Sequence, residues 1–136
     1  AYGFGSFAAC DLIAGPGNRY VTAAKKIVNG DCGIDMLAGP SELVLVADET
    51  ADAATAAADL LGQAEHDVDA RPMLVTQSRA FADDVNSQIA DQLATLPTAT
   101  TASASIAANG IAIVCDSMDQ VVSVCNRIAP EHLELV

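Results

Sequence analysis

Short apolar runs alternate with helix-patterned segments from Ser41 to the end of the chain, and this alternation constrains the fold most. Four runs have the length and composition of buried strands: Ser41–Ala47, Pro72–Thr76, Ile111–Cys115 and Leu133–Val136. The segments between them are alanine-rich or have apolar residues at helical spacing: Asp52–His66, Ala80–Leu96 and Met118–Ile128. The alternation predicts an α/β fold, an incomplete Rossmann-like three-layer sandwich with a mostly parallel sheet. In such folds we expect functional groups at the carboxyl ends of the strands.

The first forty residues follow a different pattern. The break Gly15-Pro16-Gly17-Asn18 precedes Arg19–Val28, which has helical character, and residues 30–40 hold three glycines and a proline, which predicts a loop. A boundary near Gly39 then gives two domains. Residues 1–40 would be part of a second, similar domain with its connection, and residues 41–136 the Rossmann-like domain. Within the latter, residues 98–105 predict either a loop or a weak helix.

Composition excludes several classes of protein. The chain has 136 residues, 51% of them hydrophobic, which suffices for one ordinary core. Its net charge of −12 argues against a nucleic-acid partner. No apolar run is long enough to span a membrane and no signal-peptide pattern is present. The four cysteines form no C-x-x-C pair and Cys115 lies in an apolar run, so we expect a reducing cytoplasm. The chain begins with alanine, and we expect it to be a piece of a longer protein.

The dipeptide Glu131-His132 is the strongest chemical signal in the chain. It follows Pro130 at the point where a predicted helix gives way to a strand. At such a turn a carboxylate and an imidazole can face one cleft. A general acid and a general base in one cleft are the least that proton transfer requires. The alternative is a linker with two solvated polar residues.

Three other places could bind a ligand. Gln63 and His66 are three residues apart and could share a helix face as a metal half-site, although an ordinary helix end would look the same. The Gly15–Asn18 break could present helix amides to an anion such as pyrophosphate, or be a simple turn with Asn18 as the N-cap. Arg19, Lys25 and Lys26, in the helix after it, are half of the six positive charges of the chain. Ser41 could bind substrate or finish a turn.

Five motifs, in this order, resemble the histidinol dehydrogenase family over essentially the whole chain. They are Gly-Pro-Gly-Asn-x-Tyr-Val-Thr, Gly-Ile-Asp-Met-x-Ala-Gly-Pro-Ser-Glu, Ala-Asp-Glu-Thr, Asp-Leu-Leu-x-Gln-Ala-Glu-His and Ala-Pro-Glu-His-Leu-Glu-Leu. The resemblance implies a zinc- and NAD-dependent enzyme that oxidises L-histidinol through an aldehyde to L-histidine. It also implies a homodimer with a shared active site.

The resemblance also implies roles for individual residues. The zinc-binding Gln and His fall on Gln63 and His66, and the catalytic Glu-His pair falls on Glu131 and His132. The substrate-contacting Ser falls on Ser41; Gln63, His66 and His132 also face the substrate. An NAD-contacting Asn falls on Asn18. Residues 1–40 would then be part of a cofactor-binding domain with its connection, and residues 41–136 would carry half of the zinc and catalytic site.

This chain departs from the family pattern in two respects. Asp67 stands where family members often have glycine. The family's remaining zinc ligands, an Asp and a partner-subunit His, lie downstream of Val136, and NAD contacts lie upstream of Ala1. We therefore expect the 136 residues alone to be inactive. Two alternatives stay open: a related dehydrogenase of another polar alcohol, such as a sulfonated diol, and a non-catalytic α/β domain.

Overall fold

A computed structural model of the chain describes residues 1–37 and 41–136. The chain forms two compact units, Ala1–Pro40 and Ser41–Val136. The predicted break at Gly39 and Pro40 lies outside the described residues. The roles expected of the two units as domains remain predictions.

The smaller unit contains one short β-α-β arrangement. Strand β1 (Leu12–Ile13) pairs in parallel with β2 (Gly33–Ile34), and helix α1 (Arg19–Val28) lies between them in the chain. The predicted helix over residues 19–28 is therefore confirmed. The loop expected over residues 30–40 is wrong in part, because β2 lies inside it; two residues are too few to leave a strand pattern in the sequence.

The larger unit is built on a four-stranded parallel sheet, in the order β5-β4-β3-β6. The strands are β3 (Glu42–Ala47), β4 (Arg71–Thr76), β5 (Ile111–Val114) and β6 (His132–Leu135). The helices are α2 (Ala53–Ala64), α3 (Arg79–Leu93), α4 (Ala99–Asn109) and α5 (Met118–Ile128). The predicted α/β fold with a parallel sheet is confirmed. Strand order reverses between β3 and β6, the arrangement of a doubly wound sheet.

Side chains on opposite faces of the sheet make two separate cores. Leu43 and Leu45 of β3 pack with α2 and α3 on one face. Val44, between them, packs with Cys115 and with α5 on the other face. This alternation is the period of two expected for a strand covered on both faces, and it gives the three layers.

Helix α4 resolves the ambiguous segment after Pro97 in favour of a helix. Ala102 packs in a third core cluster with Leu61 and Ala64 of α2. Ser105 is fully buried, and its hydroxyl donates to the carbonyl oxygen of Ala70 at 3.0 Å. Tertiary packing therefore stabilises a helix whose own hydrophobic pattern is weak.

Two expectations about burial can be compared with the structure. Cys115 is 4% exposed, so the buried thiol expected from its apolar run is confirmed. Among the helices in residues 1–37 and 41–136, none has the length and apolar character needed to cross a bilayer.

Candidate active site

Helix α2 returns the chain to the amino-terminal edge of the sheet, and there it meets the residue before β3. The side-chain amide of Gln63 donates through Nε2 to the hydroxyl of Ser41 at 2.6 Å and to its carbonyl oxygen at 2.9 Å. The structure therefore brings together two residues that lie 22 positions apart in the sequence.

This contact fixes the orientation of the Gln63 side chain. Gln63 is 9% exposed, and the carbonyl oxygen of Ser41 also accepts the backbone N–H of Arg71 at 3.2 Å. Because Nε2 is committed to Ser41, the carbonyl oxygen Oε1 is the Gln63 atom that could ligate a metal.

His66 lies just beyond α2, not in its last turn. The predicted helix end at His66 is wrong, because α2 ends at Ala64. The backbone then turns: the Asp67 side chain accepts the N–H of Asp69 at 2.9 Å, and the Asp67 carbonyl accepts the N–H of Ala70. Such an aspartate turn competes with continued helix. The imidazole of His66 is exposed, and its backbone N–H still contacts the Gln63 carbonyl oxygen at 3.4 Å.

The Glu131-His132 pair lies at the same edge of the sheet. His132 opens β6, one residue earlier than expected, and is the register partner of Leu43, two positions after Ser41. Its Nε2 lies 3.9 Å from Oε1 of Glu131, and the side chains are 58% and 48% exposed. At 3.9 Å the two groups are close but not hydrogen-bonded, so each is free to engage a ligand.

A left-handed residue sets the approach to this pair. Helix α5 ends at Ile128, and its C-cap Ala129 has φ 48°, after which Pro130 prevents further helix. Among the described residues Ala129 is the one non-glycine with positive φ. The reversal directs the chain into β6 with Glu131 at the bend.

The candidate residues do not lie where functional groups were expected. Ser41, Gln63, Glu131 and His132 gather at the amino-terminal edge of the sheet, not at the carboxyl ends of its strands. They lie there because Ser41 and Glu131 directly precede the parallel strands β3 and β6, and α2 runs back to the same edge. At the carboxyl edge, the turn from β3 into α2 is acidic. Asp52 caps α2 itself by accepting the N–H of Thr55 at 2.9 Å, and Asp48 accepts the N–H of Thr50 at 2.8 Å. The hydroxyls of Thr50 and Thr55, which donate to the same carboxylates, and then these backbone N–H groups hold the pKa of both aspartates below the usual range. An anion would be repelled from this edge.

Asn18 belongs to the smaller unit and caps α1. Its Oδ1 accepts the N–H groups of Tyr20 at 3.1 Å and Val21 at 3.3 Å, as the simple N-cap alternative requires. The cap leaves the side-chain NH₂ of Asn18 as the group that could donate to a ligand.

Two of the described side chains could contribute to a metal site. In residues 1–37 and 41–136, no group of three or more His, Cys, Asp or Glu side chains is placed to hold a metal. Gln63 Oε1 and the exposed imidazole of His66 offer two donor atoms. Imidazole nitrogen is a common zinc ligand, whereas an amide oxygen is an uncommon one. The donor set fits half of a four-coordinate site.

The environment of Lys25 differs most from what the sequence indicated. Counted among the positive charges of α1, it is buried and paired with Asp35 at 2.6 Å. It is therefore not a free surface cation. The only signal for this pairing was Asp35 itself, inside the Gly-Ile-Asp-Met motif.

Comparison with known proteins adds independent information. A family model described as histidinol dehydrogenase matches residues 1–136. The histidinol dehydrogenase of Halalkalibacterium halodurans is 52% identical over 136 residues, covering 100% of this chain and 32% of that protein. The one from Streptococcus mutans is 50% identical over 135 residues, covering 99% of this chain and 32% of that protein.

A solved structure gives the same result for the fold. The crystal structure of histidinol dehydrogenase from Elizabethkingia anophelis aligns with a TM-score of 0.86 at 42% identity. It covers 96% of this chain and 30% of that chain. This chain thus spans about a third of the length of the relatives it matches.

Proposed function

The chain belongs to the histidinol dehydrogenase family, and we therefore propose that the protein containing it oxidises L-histidinol to L-histidine with NAD⁺ and zinc. The observation that carries the proposal is the assembly at the amino-terminal edge. Ser41, which accepts hydrogen bonds from Gln63 of α2, directly precedes β3, and the Glu131-His132 pair lies at the start of the neighbouring strand β6. All of them fall in motifs through which the chain resembles the family.

The reaction removes four electrons from one carbon. The alcohol loses two electrons as a hydride to give the aldehyde, water adds, and a second hydride leaves to give the carboxylate. When bound, NAD⁺ supplies the acceptor for each hydride, and two molecules are needed per substrate.

His132 is assigned as the proton acceptor. Its imidazole is more than half exposed and not tied to Glu131, so a substrate hydroxyl can reach it. A neutral imidazole has a basicity suited to taking the alcohol proton near neutral pH.

Glu131 is assigned to the aldehyde stage. Its carboxylate lies beside the imidazole, where it can accept a proton from water as that water adds to the aldehyde carbon. The two residues then serve successive steps from neighbouring positions, with His132 acting on the alcohol and Glu131 on water.

Substrate is held by the Gln63 side of the site. A zinc ion bound in part by Gln63 Oε1 and His66 would orient the amino and imidazole nitrogens of histidinol. Ser41 contributes its hydroxyl, which accepts from Gln63 and can still donate to the substrate. The remaining zinc ligands are proposed to come from outside this chain, one of them from the partner in a homodimer, and the enzyme is proposed to be cytoplasmic.

The test measures NADH formation from L-histidinol by the full-length protein, with and without a chelator. We expect two NADH per histidinol and loss of activity on metal removal. His132→Ala should lower the rate by about 10²–10⁴-fold, and Glu131→Gln should block the second oxidation. Glu49→Gln, an exposed carboxylate at the opposite edge of the sheet, is the matched control. A metal-loaded protein that does not reduce NAD⁺ with histidinol would refute the proposal.

A further inference from the structure

Lys25 of α1 is buried to a degree that lysine reaches only when it is paired. It is 5% exposed. Its Nζ donates to the carbonyl oxygen of Gly15 and to Oδ1 of Asp35, each at 2.6 Å. Burial of the ammonium is thus offset by one carboxylate and one backbone oxygen.

Asp35 binds the other backbone group of the same glycine. Its Oδ2 accepts the N–H of Gly15 at 2.8 Å, and Oδ1 accepts the N–H of Met36 at 2.7 Å. The Gly15 N–H and then Lys25 hold the pKa of this carboxyl well below its usual range. One ion pair therefore takes both the N–H and the C=O of Gly15.

Gly15 is the first residue of the turn that ends at Asn18. Its φ of 138° is open to glycine and strained for other residues. Gly17 lies so close to α1 that a Cβ there would come within 2.4 Å of Cβ of Val21. The Lys25–Asp35 pair thus holds the start of the turn, and the Asn18 cap holds its end.

We propose that Lys25 and Asp35 are positioning residues that hold the Gly15–Asn18 turn in the shape that receives the dinucleotide. The proposal rests on the proposed function and on the NAD⁺ contact that the family resemblance implies for Asn18. It excludes a direct role of Lys25 as a phosphate ligand, because the ammonium is buried and its hydrogen bonds are made inside the protein. The pair supports binding of the cofactor, and the chemistry at His132 should not depend on it.

The test uses Lys25→Met in the full-length enzyme, with Lys26→Met as the matched control. Lys26 is the next residue of the same helix and is exposed. We expect Lys25→Met to raise the KM for NAD⁺ about tenfold or more, with kcat and the KM for histidinol within about threefold of the unmodified enzyme. Lys26→Met should leave all three constants within about twofold.

Two further measurements separate positioning from general instability. Asp35→Asn keeps the volume of the side chain and one acceptor, so it should fold if Lys25→Met does not, and it should also raise the KM for NAD⁺. Hydrogen exchange should be faster in Lys25→Met at the peptide covering residues 15–18, with the peptides of β3 and β4 unchanged.

Each outcome bears on the proposal differently. An unchanged KM for NAD⁺ in both Lys25→Met and Asp35→Asn would overturn it, as would a fall in kcat alone. If the unmodified enzyme failed to bind NAD⁺, the proposed function and the cofactor role of the pair would fail together. Faster exchange at residues 15–18 would still show that the pair holds the turn.

Discussion

At the scale of single residues, Gln63 connects the fold to the proposed chemistry. Two hydrogen bonds to Ser41 orient its amide and connect α2 to the residue before β3. The same orientation leaves Oε1 available to the proposed metal. The identity of the residue could be predicted from the sequence through its motif. Its partner could not, because 22 residues separate the two and no local pattern encodes the contact.

Replacing Gln63 by glutamate tests this orientation. The introduced carboxyl would face the Ser41 carbonyl oxygen, which now lies 2.9 Å from Nε2, so its ionised form is disfavoured and its pKa rises. Because the pKa of this glutamate is higher in the folded protein than in the unfolded chain, stability is retained below the pKa of the unfolded chain, about 4.3. It is lost as the pH rises through the pKa of the folded protein. We expect Gln63→Glu to cost about 1–3 kcal/mol at neutral pH and less in acid.

Denaturant unfolding of the full-length protein across this pH range measures the effect. Gln77→Glu, at an exposed position beyond β4, is the control and should show no comparable dependence. Equal stability of Gln63→Glu and the unmodified protein at neutral pH would contradict the observed amide orientation.

Glu134 provides a second residue-scale prediction. It is the register partner of Leu45, so it points toward α2, where Asp59 lies nearby. Burial first, and then the Asp59 carboxylate, raise the pKa of Glu134. A carboxyl with a raised folded pKa contributes stability in acid that is lost as pH rises from its unfolded pKa through its folded pKa.

Glu134→Gln should therefore stabilise the protein at neutral pH, by about 0.5 kcal/mol on the scale of a solvent-screened charge pair, and have less effect in acid. Chemical unfolding of the full-length protein along a pH series is the measurement. A variant less stable than the unmodified protein at neutral pH would show that the carboxylate is not disfavoured there.

At the scale of helices and strands, the structure agrees with the sequence where apolar patterning is strong. The apolar runs became β3 to β6 with boundaries shifted by one residue at most ends. Helix α4 was ambiguous because its residues are mostly small, and it forms through contacts of Ala102 and Ser105 that the sequence does not reveal. The candidate site residues lie at the amino-terminal edge of the sheet, and not at the carboxyl edge where functional groups were expected, because Ser41 and Glu131 precede their strands.

The end of α5 offers a test at this scale. Ala129 adopts the left-handed conformation that glycine adopts without strain. We expect Ala129→Gly to stabilise the protein by about 0.5–1 kcal/mol. Glycine relieves the backbone strain of the left-handed conformation, and this gain exceeds the loss that comes from the greater entropy of the unfolded chain.

Ala107→Gly, an exposed position inside α4, should instead cost about 1 kcal/mol. Thermal unfolding of both variants of the full-length protein measures whether each substitution raises or lowers stability. Destabilisation of similar size at both positions would mean that residue 129 is not left-handed in solution.

At the scale of the whole molecule, the proposed active site needs groups from outside these residues. The chain spans about a third of its relatives, and its described part offers two metal donors where zinc usually takes four. We expect the 136 residues alone to show no histidinol-dependent NADH formation, whereas the full-length protein should be active. A steady-state assay of both at equal concentration, with added zinc, measures this. Turnover by the short chain would refute the assignment of ligands beyond it.

The direction of α2 has an electrostatic consequence for the two edges of the sheet. A helix carries a partial positive charge at its first turn and a partial negative charge at its last. In α2 the positive end is neutralised internally by the Asp52 carboxylate, while the negative end comes to the place where Gln63 and His66 lie. The backbone dipole thus favours a cation at the proposed metal site by about 0.3–1 kcal/mol before any side chain binds it. The two proposed ligands therefore lie at helix ends of opposite partial charge, the metal at the C-terminus of α2 and the nucleotide at the N-terminus of α1.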